Sequence, residues 1–478
     1  MIKKNSFQVL IFLLMSTMAL TNLTGPMADN IAFSLGASIS QIGIVQSLFL
    51  IVGAFSSLGW AFIGFKRSRR SLLVVATCFW SLFTLVSGLS IEFYSFLTFQ
   101  VLAAIGYGAI IPLSFSLSLD LVEVERRARS LGFLIAASVF GAGMGIILAS
   151  FSVDYFSWKS PFIFLGFLGI FTVIFLSFIL DPKEIKNRAD TTNSSLTVSY
   201  RLNVKDLRTI FSVKSNKYLF LLSFMSFVAI GPITYFFVSF LKTDHGFSGN
   251  SGIASIMQTA INTTQLFGAP YIGKLADKKN QSSNMGRLKV IQACILIGPL
   301  FFFFGYLLIF NPMDVLLVIL FLIFLSLGAF FISGIDPLSA ATLGDQNSQR
   351  TITTVYSFNT ITQTLGRSTG IFIVSALLLL NDGFYQGSFI FMSLIFLGCG
   401  AILIPLYKTL SLDMTPTKKG RENSNLKIEM YESMYESILK LIEIADLNEY
   451  LDLKTKYIVN VEVYKSLKTK KIMIIVKH

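Results

Sequence analysis

Charged residues are absent from long stretches of this chain, and the stretches are separated by short polar, mostly basic connections. Uncharged segments cover residues 7–28, 40–65, 71–91, 93–119, 130–153, 160–180, 218–241, 251–273, 290–313, 315–335, 351–380 (interrupted by Arg367) and 383–407. Each has at least the roughly 20 residues that an α-helix needs to cross a hydrocarbon core about 30 Å thick. None shows the ten-residue alternation of an outer-membrane strand. The pattern predicts an all-α membrane protein with twelve transmembrane helices, spans 1 to 12. Lys3 and Lys4 precede the first segment as they would a secretory leader. That segment is too long for one and lacks a small-x-small cleavage site, so it reads as span 1.

Composition agrees: 53% of the 478 residues are hydrophobic and only 14% charged, against about a quarter charged in a soluble domain. Cys78, Cys294 and Cys399 each lie inside an apolar run, giving neither a disulfide framework nor a CxxC signature. No metal or other cofactor is expected. A net charge of +13 would suggest nucleic acid if it formed a surface patch, but its placement gives another reading. With the N-terminus inside, the inner connections hold 23 Lys and Arg residues and the outer ones only Lys159 and Lys242. Basic residues accumulate in cytoplasmic loops. The asymmetry predicts a multi-pass plasma-membrane protein, a monomer with both termini cytoplasmic, and needs no nucleic-acid partner.

The expected domains are a first six-helix bundle (1–180), a polar cytoplasmic linker (181–217), a second six-helix bundle (218–410) and a cytoplasmic tail (411–478). The linker ends in a short amphipathic stretch, Val204 to Phe211. In the tail, Met430, Met434, Ile438, Leu441 and Ala445 recur at helical spacing, Tyr457, Val459, Val461 and Val463 alternate as a strand would, and Ile472 to Val476 form a second apolar run. A small αββ appendage is predicted; a tail without a role in transport is the other reading.

A single offset relates the two halves. Adding 225 maps Pro112 to Pro337, Ser114 to Ser339, Asp120 to Asp345, Gly141 to Gly366 and Gly145 to Gly370. Gly25-Pro26 in span 1 corresponds to Gly231-Pro232 in span 7, each a place where a helix loses a hydrogen bond and can kink. Such internal repetition is typical of transporters built by duplication.

Three loop motifs then resemble those of the major facilitator superfamily of secondary transporters, over about 400 residues. Gly273-Lys-Leu-Ala-Asp277-Lys278 resembles the superfamily's loop between helices 2 and 3, repeated in the second half. Asp120 with Glu125-Arg126-Arg127-Ala-Arg129-Ser-Leu-Gly132 is similar to the loop after helix 4, and Trp158-Lys159-Ser-Pro161-Phe162 to the entry into helix 6. The resemblance implies two six-helix bundles around a central cavity. It also implies that Asp120, Arg126, Arg127, Gly273, Asp277 and Lys278 act as charge latches between the halves on the cytoplasmic side; alternatively these charges only enforce topology. Gly141, Gly145, Gly366 and Gly370 would let helices approach closely.

The departures from the family pattern are informative. Gly59 is followed four residues on by Ile63, where the pattern has Asp. Gln100 stands in span 4 where many proton-coupled members carry Arg, and Ile146 replaces the Pro of the antiporter motif. Both differences argue against a multidrug-type proton antiporter.

By the resemblance, spans 1, 4, 7 and 10 and their neighbours 2, 5, 8 and 11 line the cavity. Ionisable residues inside spans are candidates because burying them against lipid is costly. Arg367 in span 11 and Asp336 in span 10 are the two that qualify. Their expected relation is an ion pair in the unloaded state. Asn359 and Gln363 precede Arg367 on the same helix face. Gln258, Asn262 and Gln265 form a stripe on span 8, readable as solute ligands or as interhelical hydrogen bonds, and Asn22 is the candidate in span 1. Tyr107 and Tyr235 read as packing residues, and His245, beside Asp244, as a surface loop residue.

Polar candidates concentrate in the second half, opposite a largely apolar first half. The solute expected is therefore a small organic molecule, amphipathic or anionic, moved by alternating access, with or without a coupling ion. No phosphate loop, catalytic triad or carboxylate pair is present, so enzyme chemistry is not expected. A receptor of the same fold, signalling through the tail, is the alternative reading.

Overall fold

A computed structural model of the chain describes residues 2–64, 68–121, 127–177, 210–247, 250–283, 285–347, 352–380, 384–410, 461–465 and 472–476. The first half contributes α1 (Ile2–Thr21), α2 (Ala28–Ser34), α3 (Ile39–Gly64), α4 (Arg69–Gly88), α5 (Phe93–Leu121), α6 (Arg127–Tyr155) and α7 (Lys159–Ser177). The second contributes α8 (Lys214–Asp244), α9 (Ser251–Ser282), α10 (Gly286–Tyr306), α11 (Val315–Ile332), α12 (Ile335–Gln346), α13 (Ile352–Leu380) and α14 (Gln386–Gly398), which passes into a 3-10 turn (Cys399–Ile402). Among the described residues, ten helical segments are long and apolar enough to cross a membrane. In α1 only Phe7–Thr21 is comparably apolar, and α9 carries the Gln and Asn stripe.

The pattern of exposure explains why the chain takes this form. Large apolar side chains such as Phe164, Phe167, Phe171, Phe267 and Leu316 face outwards, as suits a hydrocarbon solvent that cannot satisfy backbone groups and so favours helices. Many buried hydroxyls satisfy themselves within their own helix: Thr17 donates to the Leu13 carbonyl at 2.7 Å, Ser81 to that of Thr77 at 2.7 Å and Ser393 to that of Phe389 at 2.9 Å. Such back-bonding hides these hydroxyls from any ligand.

Two spans are broken rather than continuous. The chain turns at residues 22–27, around Gly25-Pro26, before α2 starts at Ala28. The corresponding Gly231-Pro232 does not interrupt α8. A Cβ at Gly231 would lie 2.8 Å from Arg367 Cγ, so this glycine makes room for a neighbouring side chain. The second break, at Ser333–Gly334, makes Asp336 a first-turn residue of a new helix, α12. There the helix dipole favours its negative charge.

The halves repeat each other's closest contacts. A Cβ on Gly141 or Gly145 of α6 would overlap the Met15 or Ala19 carbonyl of α1, and one on Gly366 or Gly370 of α13 would overlap the Phe224 or Val228 carbonyl of α8. Met15 and Ala19 map onto Phe224 and Val228 by one common offset, as the glycines do by theirs. Pro232 has no N–H to offer the Val228 carbonyl, and it is this carbonyl that faces Gly370. Contacts between the halves run through α3 with α13, α6 with α9 and α2 with α8.

Residues 412–478 form a separate compact unit. In it β1 (Val461–Lys465) pairs antiparallel with β2 (Ile472–Val476), Val461 opposite Val476 and Val463 opposite Ile474. Val461 and Val463 of the predicted alternation thus lie opposite the predicted apolar run, Ile472–Val476. Residues 457–460, the helix expected over 430–445 and most of the amphipathic stretch at 204–211 lie outside the described residues.

Candidate functional site

A cavity of about 700 Å³ lies between the halves. Its first-half wall is α6, with Phe140, Met144, Ile146 and Ile147, plus Asn22 from the turn after α1. The opposite wall carries most of the polar lining, set among apolar side chains such as Phe227, Ile230, Leu266 and Ile332. Gln258, Thr259, Asn262, Thr263 and Gln265 of α9 line it, together with Ser223, Ser226 and Thr234 of α8, Asp336 and Ser339 of α12, and Arg367 of α13. Six of the eight sequence candidates thus face one space: Arg367, Asp336, Gln258, Asn262, Gln265 and Asn22. Gln363 does not line it but donates to the Asp336 carboxylate. Asn359 is buried away from it, its Oδ1 without a partner. Gln100 is also buried and does not reach the cavity.

The expected ion pair between Arg367 and Asp336 is not formed. Arg367 Nη2 donates to Thr234 Oγ1 at 3.3 Å. Asp336 is held by Gln363 instead. The break at Gly334 directs Asp336 towards α13 one turn from Arg367, and each charge meets the cavity on its own. Tyr107, expected to be a packing residue, lies against Phe49 with ring centroids 5.0 Å apart.

Sequence reasoning missed Thr234, Ser223, Ser226 and Ser339. Thr234 lies three residues after Gly231, whose carbonyl its hydroxyl contacts at 2.9 Å. The clue available was that the glycine admits the Arg367 arm. The hydroxyls of Ser223, Ser226 and Ser339 are buried and unpartnered. Ser339 is the repeat equivalent of Ser114, a weak signal for its placement.

Arg287, which the sequence reading did not single out, bonds to Asp277 at 3.0 Å and also pairs with Asp345. All three belong to the second half, so this cluster ties α9, α10 and α12 together and does not join the halves. Lys278 is exposed, and Gly273 has open space where a Cβ would stand. The side chains of Asp120, Arg126 and Arg127 lie outside the described residues.

Polar contacts between the halves cluster at mid-depth and at the face opposite the basic connections. Lys242 pairs with Asp29 at 2.8 Å and donates to Asn30 at 3.2 Å. Ser239 donates to the Gly25 carbonyl at 3.1 Å, the Gly252 N–H to Asp154 at 2.8 Å, and Ser368 to the Ser47 carbonyl at 2.9 Å. The cavity lies on the basic side of these contacts. His245 belongs to the closed face and is buried, not exposed as its loop position suggested. It stacks on Phe310 at 4.0 Å and meets that residue's carbonyl at 3.0 Å. Burial lowers its pKa, so at neutral pH it is an uncharged packing element. Replacing Lys242 by Ala removes the cross-half ion pair. The expected result is a several-fold rise in the labelling rate of a cysteine placed at Thr24, buried beneath this face; an unchanged rate would mean that the pair does not hold the face shut.

A helical membrane protein whose two related halves enclose one central, asymmetric cavity has the form of a solute carrier. Residues 9–371 match the family model of the Major Facilitator Superfamily, and the chain belongs to that family. Among curated proteins it is 28% identical over 159 residues to the probable L-galactonate transporter of Escherichia coli (33% of this chain, 34% of that protein) and 29% identical over 161 residues to the probable anion transporter 6, chloroplastic, of Arabidopsis thaliana (34% and 31%). The matched stretches thus span about a third of these relatives. Among solved structures, a bacterial homologue of the human lysosomal transporter Spinster, in an inward-facing, unoccupied conformation, superposes with a TM-score of 0.70 at 15% identity, covering 86% of this chain and 98% of that one. The nucleoside transporter NupG gives 0.66 at 15% identity, covering 85% and 100%. These likenesses concern the fold. The family and its relatives are transporters, and the chain is a multi-pass membrane protein.

Proposed function

We propose that the protein is a secondary transporter of twelve spans, in two six-helix halves, that moves a small organic anion, apolar on one side, by alternating access. The observation that carries this reading is the central cavity with a single buried cation. Arg367 on one wall offers a guanidinium that can take a carboxylate through two parallel hydrogen bonds, while α6 presents an apolar wall to the rest of the solute. Asn262, Gln265, Gln258 and Asn22 supply polar contacts between the two. The names of two relatives, one for a sugar acid and one for anions, fit an anionic cargo. Asp336, free of Arg367, is the group to take up a coupling cation or proton. The Asp277–Arg287–Asp345 cluster stiffens the inner end of the second half, and Asp120, Arg126, Arg127 and Lys278 remain the charges proposed to latch the halves in the state closed to the inside.

Uptake into proteoliposomes of a panel of radiolabelled carboxylates, sugars and neutral amphipaths tests this reading, with and without a pH gradient. Sustained flux of carboxylates is expected. Saturable binding with no flux of any solute would favour a receptor instead. With both termini in the cytoplasm, the cavity opens inwards. Cysteines at the exposed positions Phe156 and Met313 should then label from outside intact cells, and one at Lys279 only after permeabilisation; the reverse pattern overturns the topology.

A further inference from the structure

The polar wall of the cavity opens sideways, between α8, α9, α10 and α11, into a recess of about 50 Å³. Its mouth is shared with the main cavity: Thr234, Gln258, Asn262 and Gln265 line both. These side chains hold one another at the rim. Gln258 Nε2 donates to the Thr234 carbonyl at 2.5 Å and Gln265 Nε2 to Asn262 Oδ1 at 3.2 Å. The α9 stripe is therefore a polar frame around an opening. Beyond it the recess is mostly apolar, formed by Phe237, Phe302, Leu325 and Ala329 among others, with Tyr306 the one residue there that carries a polar atom on its side chain. An ordered water needs two to four polar partners, and beyond the rim only the Tyr306 side chain has a polar atom, so an apolar group suits the interior better.

Thr234 connects the recess to the charge. Its hydroxyl accepts from Arg367 Nη2 at 3.3 Å, and the same side chain lines the mouth. A carboxylate on the guanidinium therefore sits about one side chain from the opening. The recess has about a third of the volume of the roughly 150 Å³ cavity that takes benzene in an engineered core, which suits an isopropyl-sized group and excludes a phenyl ring.

We propose that this recess is a specificity subsite for a small branched aliphatic substituent two or three carbons from a carboxylate, making branched short-chain carboxylates the preferred solute class. The proposal rests on the reading of Arg367 as the anion anchor. Burial of each methylene-sized increment favours such a ligand over one without the substituent.

The test is equilibrium dialysis of the full chain in nanodiscs, blanked against protein-free nanodiscs, with radiolabelled acetate, 4-methylpentanoate, 3-phenylpropanoate and the neutral 4-methylpentan-1-ol. The native protein should bind 4-methylpentanoate at least ten-fold more tightly than acetate. Ala329→Ile, which fills the recess, should bring the two within about two-fold while leaving acetate unchanged. Leu325→Ala, which enlarges it, should raise affinity for 3-phenylpropanoate at least five-fold, and decides the matter if the filled variant does not fold. Equal affinities in the native protein, a preference that survives Ala329→Ile, or no gain in Leu325→Ala would overturn the subsite. The alcohol separates the two readings: if it binds as well as the carboxylate and loses affinity in Ala329→Ile, the recess stands and the anion anchor falls. Absence of saturable binding by every probe overturns both.

Discussion

Replacing Arg367 by Gln should raise the half-saturating concentration of a carboxylate solute by ten-fold or more in proteoliposome flux. A charge-assisted hydrogen bond contributes about 1.5–3 kcal/mol, and about 1.4 kcal/mol is a factor of ten. Arg367→Lys should recover only part of the loss, because an ammonium keeps the charge without the planar fork. The structure changes what is expected of Asp336. Its carboxylate is bonded to Gln363, and Arg367 to Thr234, so no buried pair is broken when either is neutralised. Asp336→Asn should therefore not rescue Arg367→Gln, since the structure holds no pair between them whose second member would be left unpaired. Normal half-saturation in Arg367→Gln would place the solute elsewhere. Mutual rescue in the double variant would show that the two charges pair in another state of the cycle.

The second large effect concerns the helix contacts on which the cavity depends. A Cβ at Gly370 would overlap the Val228 carbonyl and lie 2.8 Å from Pro232 Cδ, so even Gly370→Ala must push α13 away from α8. Overpacking of this kind costs about 1–3 kcal/mol, and Gly370→Leu should give aggregated protein on size exclusion. Gly145→Ala, the repeat equivalent facing the Ala19 carbonyl, should lower the thermal unfolding temperature by a similar amount. Gly398 has nothing within 4 Å of where its Cβ would stand, which makes Gly398→Ala the control. If all three alanine variants unfold together with the native protein, close backbone approach is not what holds these helices.

The loss of charge over twenty-residue stretches, the sidedness of Lys and Arg, and the repeat of Gly141 and Gly145 as Gly366 and Gly370 were all legible in the chain. Each is written in composition or spacing, because lipid rejects charge and unpaired backbone wherever in the fold a segment ends up. Arg367 and Asp336 stood out for the same reason, and so did the side of the molecule on which polar groups would gather. Their partners did not. Which oxygen receives the Arg367 guanidinium depends on Gly231 leaving room in α8, and Asp336 turns to Gln363 because the chain breaks at Gly334, two residues before it. Nor could spacing reveal that Arg287 unites Asp277 with Asp345, that His245 is buried against Phe310, or that the α9 stripe frames a recess. Those facts arise from side chains tens to more than a hundred residues apart, meeting at distances set by how closely the helix backbones approach.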